Sequence, residues 1–397
     1  MAADTDIAII GGGPVGAALA LALSTSDLRI TVLEARAERN ECATPAERAR
    51  DPRPIALSHG SRLLLERLNT WAGLHATPIN NVHVSQRGGF GRVAMSAADA
   101  DVPALGYVID YKELFLTLAA AANAISSDYR EGARATSLTR IGASEGGSEC
   151  DVQRIDYTRD GVSASLTARL VVVADGGDIE GLAPPKTKAY AQHALTARVS
   201  TSLPHNHVAY ERFTQDGPLA LLPFENEMAL VWTLPPARAE KLLDADPATF
   251  CVALREAFGS RLGEFNSVTQ RACYPLNLRY AVNSAPGVIT IGNAAQTLHP
   301  VAGQGFNLGL RDAWELAQIL RGIAPQALTN HEALSHFRAA RRMDRSATLA
   351  ATHGLVHLFS NDFLPLHAAR SVGMTLLGSI EPLRNFVARR MIFGARG

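Results

Sequence analysis

Apolar residues in this chain come in short unbroken runs, each followed by a turn and then by residues at helical spacing. Asp6-Ile-Ala-Ile-Ile-Gly11 reads as a short buried strand, Ala17-Ala-Leu-Ala-Leu-Ala-Leu23 as a helix without a polar face, and Ile30-Thr-Val-Leu33 as a second strand. Strand and helix signals alternate from residue 6 to about 75, which predicts a parallel sheet with helices on its faces. Arg87-Gly-Gly-Phe-Gly91 predicts a hairpin leaving that fold, and Tyr107 to Leu118 returns on a helical period. Residues 130–173 read as short strands with polar turns, ending in Leu170-Val-Val-Val-Ala-Asp175. From 186 to 279 the pattern is mainly strand-like, with one helix around Ala248 to Phe258. Leu219–Pro223 and Met228–Trp232 form neighbouring strands across the Glu225-Asn-Glu227 turn. Gly287-Val-Ile-Thr-Ile-Gly292 is another buried strand, Asp312 to Gly322 a helix with Gly322 as its C-cap, and residues after about 331 are helical and rich in arginine.

Composition narrows the class. At 397 residues, 47% hydrophobic and 19% charged, the chain is an ordinary folded protein too long for one small core, so two lobes are expected. The 38 basic and 38 acidic residues cancel, so no global field draws it to nucleic acid. Cys42, Cys150, Cys251 and Cys273 are scattered without metal-ligand spacing, and the histidines show no paired-ligand pattern, so no metal is expected and reduced thiols are. The apolar stretch Ile7 to Leu23 is preceded by Asp4 and Asp6 and broken by glycines and a proline. It is also shorter than the roughly 20 residues of a membrane span, so a soluble or peripheral cytoplasmic protein is expected.

Three glycine-bearing turns carry the chemistry. In Gly11-Gly-Gly13-Pro-Val-Gly16, strand, glycine turn, helix and second strand end in an acid, Glu34. That is the context a dinucleotide fingerprint requires: Gly11 for the tight turn, Gly13 to admit a pyrophosphate, Gly16 for close helix packing, and Glu34 to accept from ribose hydroxyls. Leu170–Ala174 ends in Asp175-Gly176. At the far end, Gly292-Asn293 leads through His299-Pro300 to Gly303-Gln304-Gly305-Phe306-Asn307, which opens a helix. Glycines let a flat ring approach the backbone, and the first amides of a helix favour a ring that becomes anionic, such as reduced flavin.

Together these turns resemble the flavin-dependent aromatic-ring hydroxylases. The 291–312 segment, Glu211-Arg-Phe-Thr214, Gly217-Pro-Leu-Ala-Leu-Leu-Pro223 and Asp51-Pro-Arg53-Pro-Ile-Ala-Leu57 are similar to the ubiquinone-biosynthesis branch, in particular to those acting on 2-polyprenyl-6-methoxyphenol. The resemblance runs over nearly the whole chain. It implies an α/β fold with a Rossmann-like FAD-binding domain (1–75, 105–185 and 280–335), a β-sheet substrate domain (76–104 and 186–279) and a C-terminal helical region (336–397). It implies FAD, reduced by NADPH or NADH, with O2 as co-substrate and a flavin hydroperoxide as oxidant, acting on a polyprenyl phenol with other biosynthetic proteins nearby. It places Arg53, held between two prolines, near the flavin. Arg36 either reaches the adenosine or pyrophosphate or lies in solvent. Two departures stand out. The wider family has Gly-Asp where this chain has Gly292-Asn293, although the 2-polyprenyl-6-methoxyphenol branch resembles this chain there. The Asp-Gly motif continues Gly177-Asp178-Ile179-Glu180, without the usual Ser and Arg.

Other candidates each have two readings. His299 is a general base or a structural hydrogen bonder, and Pro300 shapes the backbone against the ring. Leu221, Pro223 and Trp232 line a pocket for a hydrophobic phenol or pack a core. The tail from Arg338 carries nine arginines against Asp344, Asp362 and Glu381, and lies on an anionic bilayer or is a solvated basic face. The rival functions are a sister ring hydroxylase acting at another position, a flavin-dependent prenyl reductase and a non-catalytic prenyl-binding escort.

Overall fold

A computed structural model describes residues 3–36, 54–89, 91–125, 128–142, 152–175, 179–281, 286–297, 304–328, 332, 334–342, 372–376 and 378–394. Arg53, Gly176, His299, Pro300 and Gly303 lie outside the described residues.

The first sheet has seven strands: β1 (Thr5–Ile10), β2 (Ile30–Glu34), β8 (Tyr129–Glu131), β9 (Arg134–Ile141), β10 (Val152–Arg159), β11 (Val162–Val173) and β18 (Val288–Thr290). β8, β2, β1, β11 and β18 run parallel, while β9 and β10 form an antiparallel meander beside β11. Alternation divides β1 between two cores, Ile7 and Ile9 on one side, Ala8 and Ile10 on the other. The Ile7 side is covered by α1 (Pro14–Leu23), whose residues Gly16 to Leu23 are all buried. An all-apolar helix is stable only when enclosed, and here the sheet and a later helix enclose it. That later helix and its companions are α2 (His59–Arg67), α3 (Tyr111–Ile125), α4 (Pro236–Asp244), α5 (Pro247–Phe258), α6 (Gly292–Ala295), α7 (Gln304–Leu320) and α8 (Glu381–Phe393), with α7 and α3 both packed on α1.

A small antiparallel sheet of β3 (Pro54–Ser58), β7 (Gly106–Asp110) and β4 (Ala76–Ile79) links this body to a nine-stranded sheet. The large sheet contains β5 (Asn81–Gln86), β6 (Arg92–Ser96), β12 (Lys186–Thr201), β13 (Val208–Phe213), β14 (Pro218–Phe224), β15 (Glu227–Leu234), β16 (Phe265–Val268), β17 (Ala272–Tyr280) and β19 (Gln296–Thr297). β5 and β6 form the hairpin expected at Arg87–Gly91, with Gly88 at φ +75. β14 and β15 pair across Glu225 and Asn226 as the sequence predicts.

Three expectations are corrected. Residues 107–110 are strand, not the start of a helix: Asp110 caps α3 by accepting from the amides of Lys112 and Glu113, so the helix begins at Tyr111. The strand-rich stretch carries a second helix, α4, ahead of α5, which Asp246 caps through Ala248 and Thr249 with Pro247 in its first turn. The helix that Gly303–Asn307 opens and the one read from Asp312 to Gly322 are a single helix, running from Gln304 to Leu320.

Candidate cofactor and active site

The first glycine turn is built by close backbone approach. β1 ends at Ile10, whose carbonyl accepts from the amides of Ala174 and Asp175. Gly11 follows at φ +99, and a Cβ there would lie 2.7 Å from the Asp175 amide nitrogen, so a side chain would push apart the two strand ends. A Cβ on Gly16 would meet the Gly11 carbonyl oxygen at 1.9 Å, which lets α1 sit directly on the turn. Gly13 differs: a Cβ there would meet nothing within 4 Å. It N-caps α1 without a side-chain hydrogen bond, and Pro14 occupies the first turn. The first amides of α1 therefore face open space beside a residue that contributes no side chain, a cradle that suits a pyrophosphate.

Glu34 closes this end. Its buried carboxylate accepts from the Gly12 amide at 2.7 Å through Oε2 and from the Arg36 amide at 2.8 Å through Oε1. Each oxygen keeps a further lone pair for a ribose hydroxyl. The Tyr129 hydroxyl donates to the Gly12 carbonyl at 3.2 Å. The Arg36 guanidinium lies 4.8 Å over the Phe115 ring, exposed to solvent at the rim.

The second glycine element meets the first through one side chain. Val15, in the first turn of α1, is wedged between Gly292 and Gly309: added Cβ atoms would approach its methyls to 3.1 Å and 2.9 Å. Gly292, at φ +57, donates its amide to Asp312 Oδ2 at 3.2 Å. Asp312 Oδ1 accepts from Arg341 Nε at 2.6 Å, and Arg341 also reaches Glu315 at 3.2 Å. Asn293 follows Gly292 and is exposed, and a Cβ on Gly305 would meet nothing within 4 Å. Phe306 packs against the α1 core. Asn307 is buried and acts as a clamp: its Oδ1 accepts from the Ser58 amide (2.8 Å) and the Ser61 hydroxyl (2.7 Å), and its Nδ2 donates to the Ala56 carbonyl (3.0 Å). It thereby fixes β3, the strand that follows Arg53.

The large sheet has two unlike faces. On the outer face Leu195, Leu219, Leu221, Leu230 and Trp232 are fully buried beneath Phe250, Leu254 and Phe258 of α5, with the Trp232 and Phe250 rings 6.3 Å apart. Leu221 and Trp232 thus take the core reading, and alternation puts Pro223 on the same face. The inner face turns toward β7: Ala209, Phe224 and Ala229 pack on Val108, and Arg198 pairs with Asp110 at 3.2 Å while lying over Phe224. Ala220, Leu222 and Val231 on this face stay partly exposed although they lie mid-sheet. These partly exposed apolar positions lie one residue out of register with Leu221, Pro223 and Trp232.

Sequence reasoning missed Val15, Gly309, Tyr129, Arg341 and Glu211 as participants. Glu211 did carry a signal, a carboxylate within the apolar alternation of Val208 to Phe213. Arg341 carried none, since its partner is far away in the chain.

Residues 4–346 match the model of the FAD binding domain family. The chain belongs to this family, among the ubiquinone-biosynthesis flavin hydroxylases. It is 32% identical over 406 residues to the ubiquinone hydroxylase UbiL of Rhodospirillum rubrum, covering 97% of this chain and 88% of the relative. It is 30% identical to the 3-demethoxyubiquinol 3-hydroxylase of Escherichia coli, covering 93% and 94%. Among solved structures, p-nitrophenol 4-monooxygenase PnpA from Pseudomonas putida superposes with a TM-score of 0.74 at 17% identity over 98% of both chains. Klebsiella pneumoniae HpxO, complexed with FAD and uric acid, gives 0.71 at 17%, also over 98% of both. The flavin hydroxylase fold of the chain, and FAD as its cofactor, accord with the open cradle at Gly13. As a flavin-dependent monooxygenase it consumes O2 and a reduced nicotinamide.

Proposed function

We propose that this flavin hydroxylase oxidises the ring of a polyprenylated phenol, 2-polyprenyl-6-methoxyphenol, in ubiquinone biosynthesis. The observation that carries the reading is the wedge of Val15 between Gly292 and Gly309, which joins the fingerprint turn to the second glycine element as one site. Gly11, Gly13, Gly16 and Glu34 would hold the adenosine and pyrophosphate, and Asp175 lies against Gly11. Asn293, Gly305 and the backbone amides of Phe306 and Asn307 at the start of α7 would hold the ring, with Asp312 orienting Gly292. FAD, when bound and reduced by NADPH or NADH, supplies the activated oxygen drawn from O2. The chain's task is to bind the phenol on the inner face of the large sheet, keep water out and position one ring carbon. The first sheet with its helices serves as the cofactor lobe and the large sheet as the substrate lobe.

A hydrophobic substrate calls for access from a bilayer. Leu376, Ile380, Leu383 and Phe386 are large apolar side chains exposed in the C-terminal region, with Arg389 and Arg390 exposed beside them. Among the described residues no helix is long and apolar enough to cross a membrane. This surface supports peripheral binding to an anionic membrane face. The arginine count overstates its charge, because Arg341 pairs with Asp312 and Arg384 with Asp99.

The decisive experiment combines two readings: the purified protein must turn yellow with FAD and oxidise NADPH faster when a prenylated phenol is added. A strain lacking the gene must accumulate 2-polyprenyl-6-methoxyphenol. Accumulation of a later intermediate would transfer the assignment to a sister hydroxylase.

A further inference from the structure

Glu211 is the one carboxylate on the inner face of β13, and its surroundings are unusual. Its cross-strand neighbours are Val84 on β5 and Ala220 on β14, and the same row continues through Val231 and Thr196. None of these carries a charge. Among the described residues no hydrogen bond or ion pair reaches the Glu211 carboxylate. The side chain lies deep in the protein, yet it retains accessible surface, as do Val84, Ala220 and Val231. Since β13 is paired on both sides, by β5 and β14, the surface left to Glu211 opens onto the inner face of the sheet. Burial alone raises its pKa to about 7. Among the described residues, the other charged groups on the neighbouring strands are engaged or turned elsewhere. Arg198, on the inner face, is engaged by Asp110, while His83, Tyr210 and Arg212 project from the outer face, where Arg212 donates to the Ala257 carbonyl.

An unpartnered carboxylate in an apolar pocket is costly unless a ligand satisfies it. We propose that Glu211 receives the hydroxyl of the phenolic substrate and takes its proton, so that the ring is attacked as the phenolate. The inference rests on the reading of the site as a phenol hydroxylase. In the step the phenolic O–H bond breaks, the proton joins a Glu211 oxygen, and the electron pair remains on the substrate. That negative charge enriches the ring carbons ortho and para to the oxygen, which is where an electrophilic oxygen from reduced flavin and O2 adds. As the substituted carbon loses its hydrogen as a proton and aromaticity returns, the carboxylic acid gives its proton back to the phenolate oxygen. A carboxyl group whose affinity for a proton lies near neutrality suits both directions of this transfer. The small Ala220 beside it leaves room for the ring, and Leu222 and Val231 supply apolar walls.

The test uses the FAD-loaded full chain and 2-prenyl-6-methoxyphenol with a single isoprene unit. Bound phenolate has a red-shifted ultraviolet band that the neutral phenol lacks. Wild-type protein should produce that band at pH 8, below the phenol's own ionisation near pH 10, and Glu211→Gln should not. Glu211→Gln should also lose about 10²–10⁴-fold in hydroxylation at neutral pH, and should recover part of the loss as pH rises toward 10 and the phenol ionises unaided. Glu211→Asp, which keeps the carboxylate, should retain the band and intermediate activity. FAD absorbance should be unchanged in both variants, which shows that the cofactor site still forms. If Glu211→Gln shows the phenolate band, or if its activity loss is the same at every pH, the proposal is overturned. If Glu211→Gln does not fold, Glu211→Asp decides: the band kept with reduced activity supports the proposal, and full activity without the band overturns it. If wild-type protein binds FAD but never hydroxylates the phenol, the functional reading fails instead.

Discussion

Arg341 Nε lies 2.6 Å from Asp312 Oδ1, with each side chain about 5% exposed, and the second oxygen of Asp312 holds the Gly292 amide. Arg341 thus braces the second glycine turn through Asp312. Removing one partner of a buried pair strands the other charge at a cost of about 3–5 kcal/mol, whereas replacing both is much less harmful. Arg341→Met should therefore destabilise the protein by about that amount in urea unfolding. Asp312→Asn combined with Arg341→Met should recover most of the loss. A single-variant effect below about 1 kcal/mol would show that the pair does not tie the site together.

Two glycines of the same turn should respond in opposite ways. Gly16→Ala drives a methyl into the Gly11 carbonyl and should destabilise the apoprotein by about 1–3 kcal/mol or more. Gly13→Ala meets open space, so apoprotein Tm should not move, yet FAD should bind about tenfold more weakly, equivalent to ~1.4 kcal/mol. Thermal melts of apoprotein and FAD titration separate the two. Unchanged FAD affinity in Gly13→Ala would place the pyrophosphate elsewhere.

The two faces of the large sheet predict a division between stability and substrate affinity. Trp232→Ala opens a cavity under α5 and should cost about 3–5 kcal/mol without raising KM for the phenol. Ala220→Leu fills the inner face and should raise KM about tenfold with little change in stability. A KM effect confined to Trp232→Ala would return the substrate to the outer face.

His83 is half-buried beside the Tyr210 ring, and desolvation together with nearby Arg261 lowers its pKa to about 4. Between pH 6.5 and 4 the unfolded chain then binds more protons at this site than the folded one, so its contribution to stability shrinks as pH falls. Allowing for its partial exposure, the loss is about 1–2 kcal/mol. Urea unfolding at pH 7.5 and 4.5 should show a smaller pH dependence in His83→Asn than in wild type. Equal slopes would mean that His83 charges freely in the fold.

Local signals in the chain were enough for the fingerprint. Strand, turn, helix and acid occur within thirty or so residues, and steric rules for glycine assign each its task before any tertiary contact is known. The same holds for β14 and β15, where one short turn sets the register. Positions that depend on distant partners were not legible. Asn307 belongs to a cofactor-like motif, yet its side chain is spent on Ser58, Ser61 and Ala56. Leu221 and Trp232 had the right character for a pocket, but alternation alone does not say which face of a strand meets α5 and which meets the flavin lobe.

Sequence by itself therefore determined the fold family and the cofactor, because the fingerprint rests on backbone geometry within one βαβ unit. Tertiary structure alone decided which sheet face is packed beneath α5 and which is left partly open, how Val15 unites two turns nearly 300 residues apart, and that Glu211 has no partner among the described residues of its apolar wall. The physical reason is that burial and charge pairing are properties of what surrounds a side chain, and those surroundings are assembled only when distant strands pair.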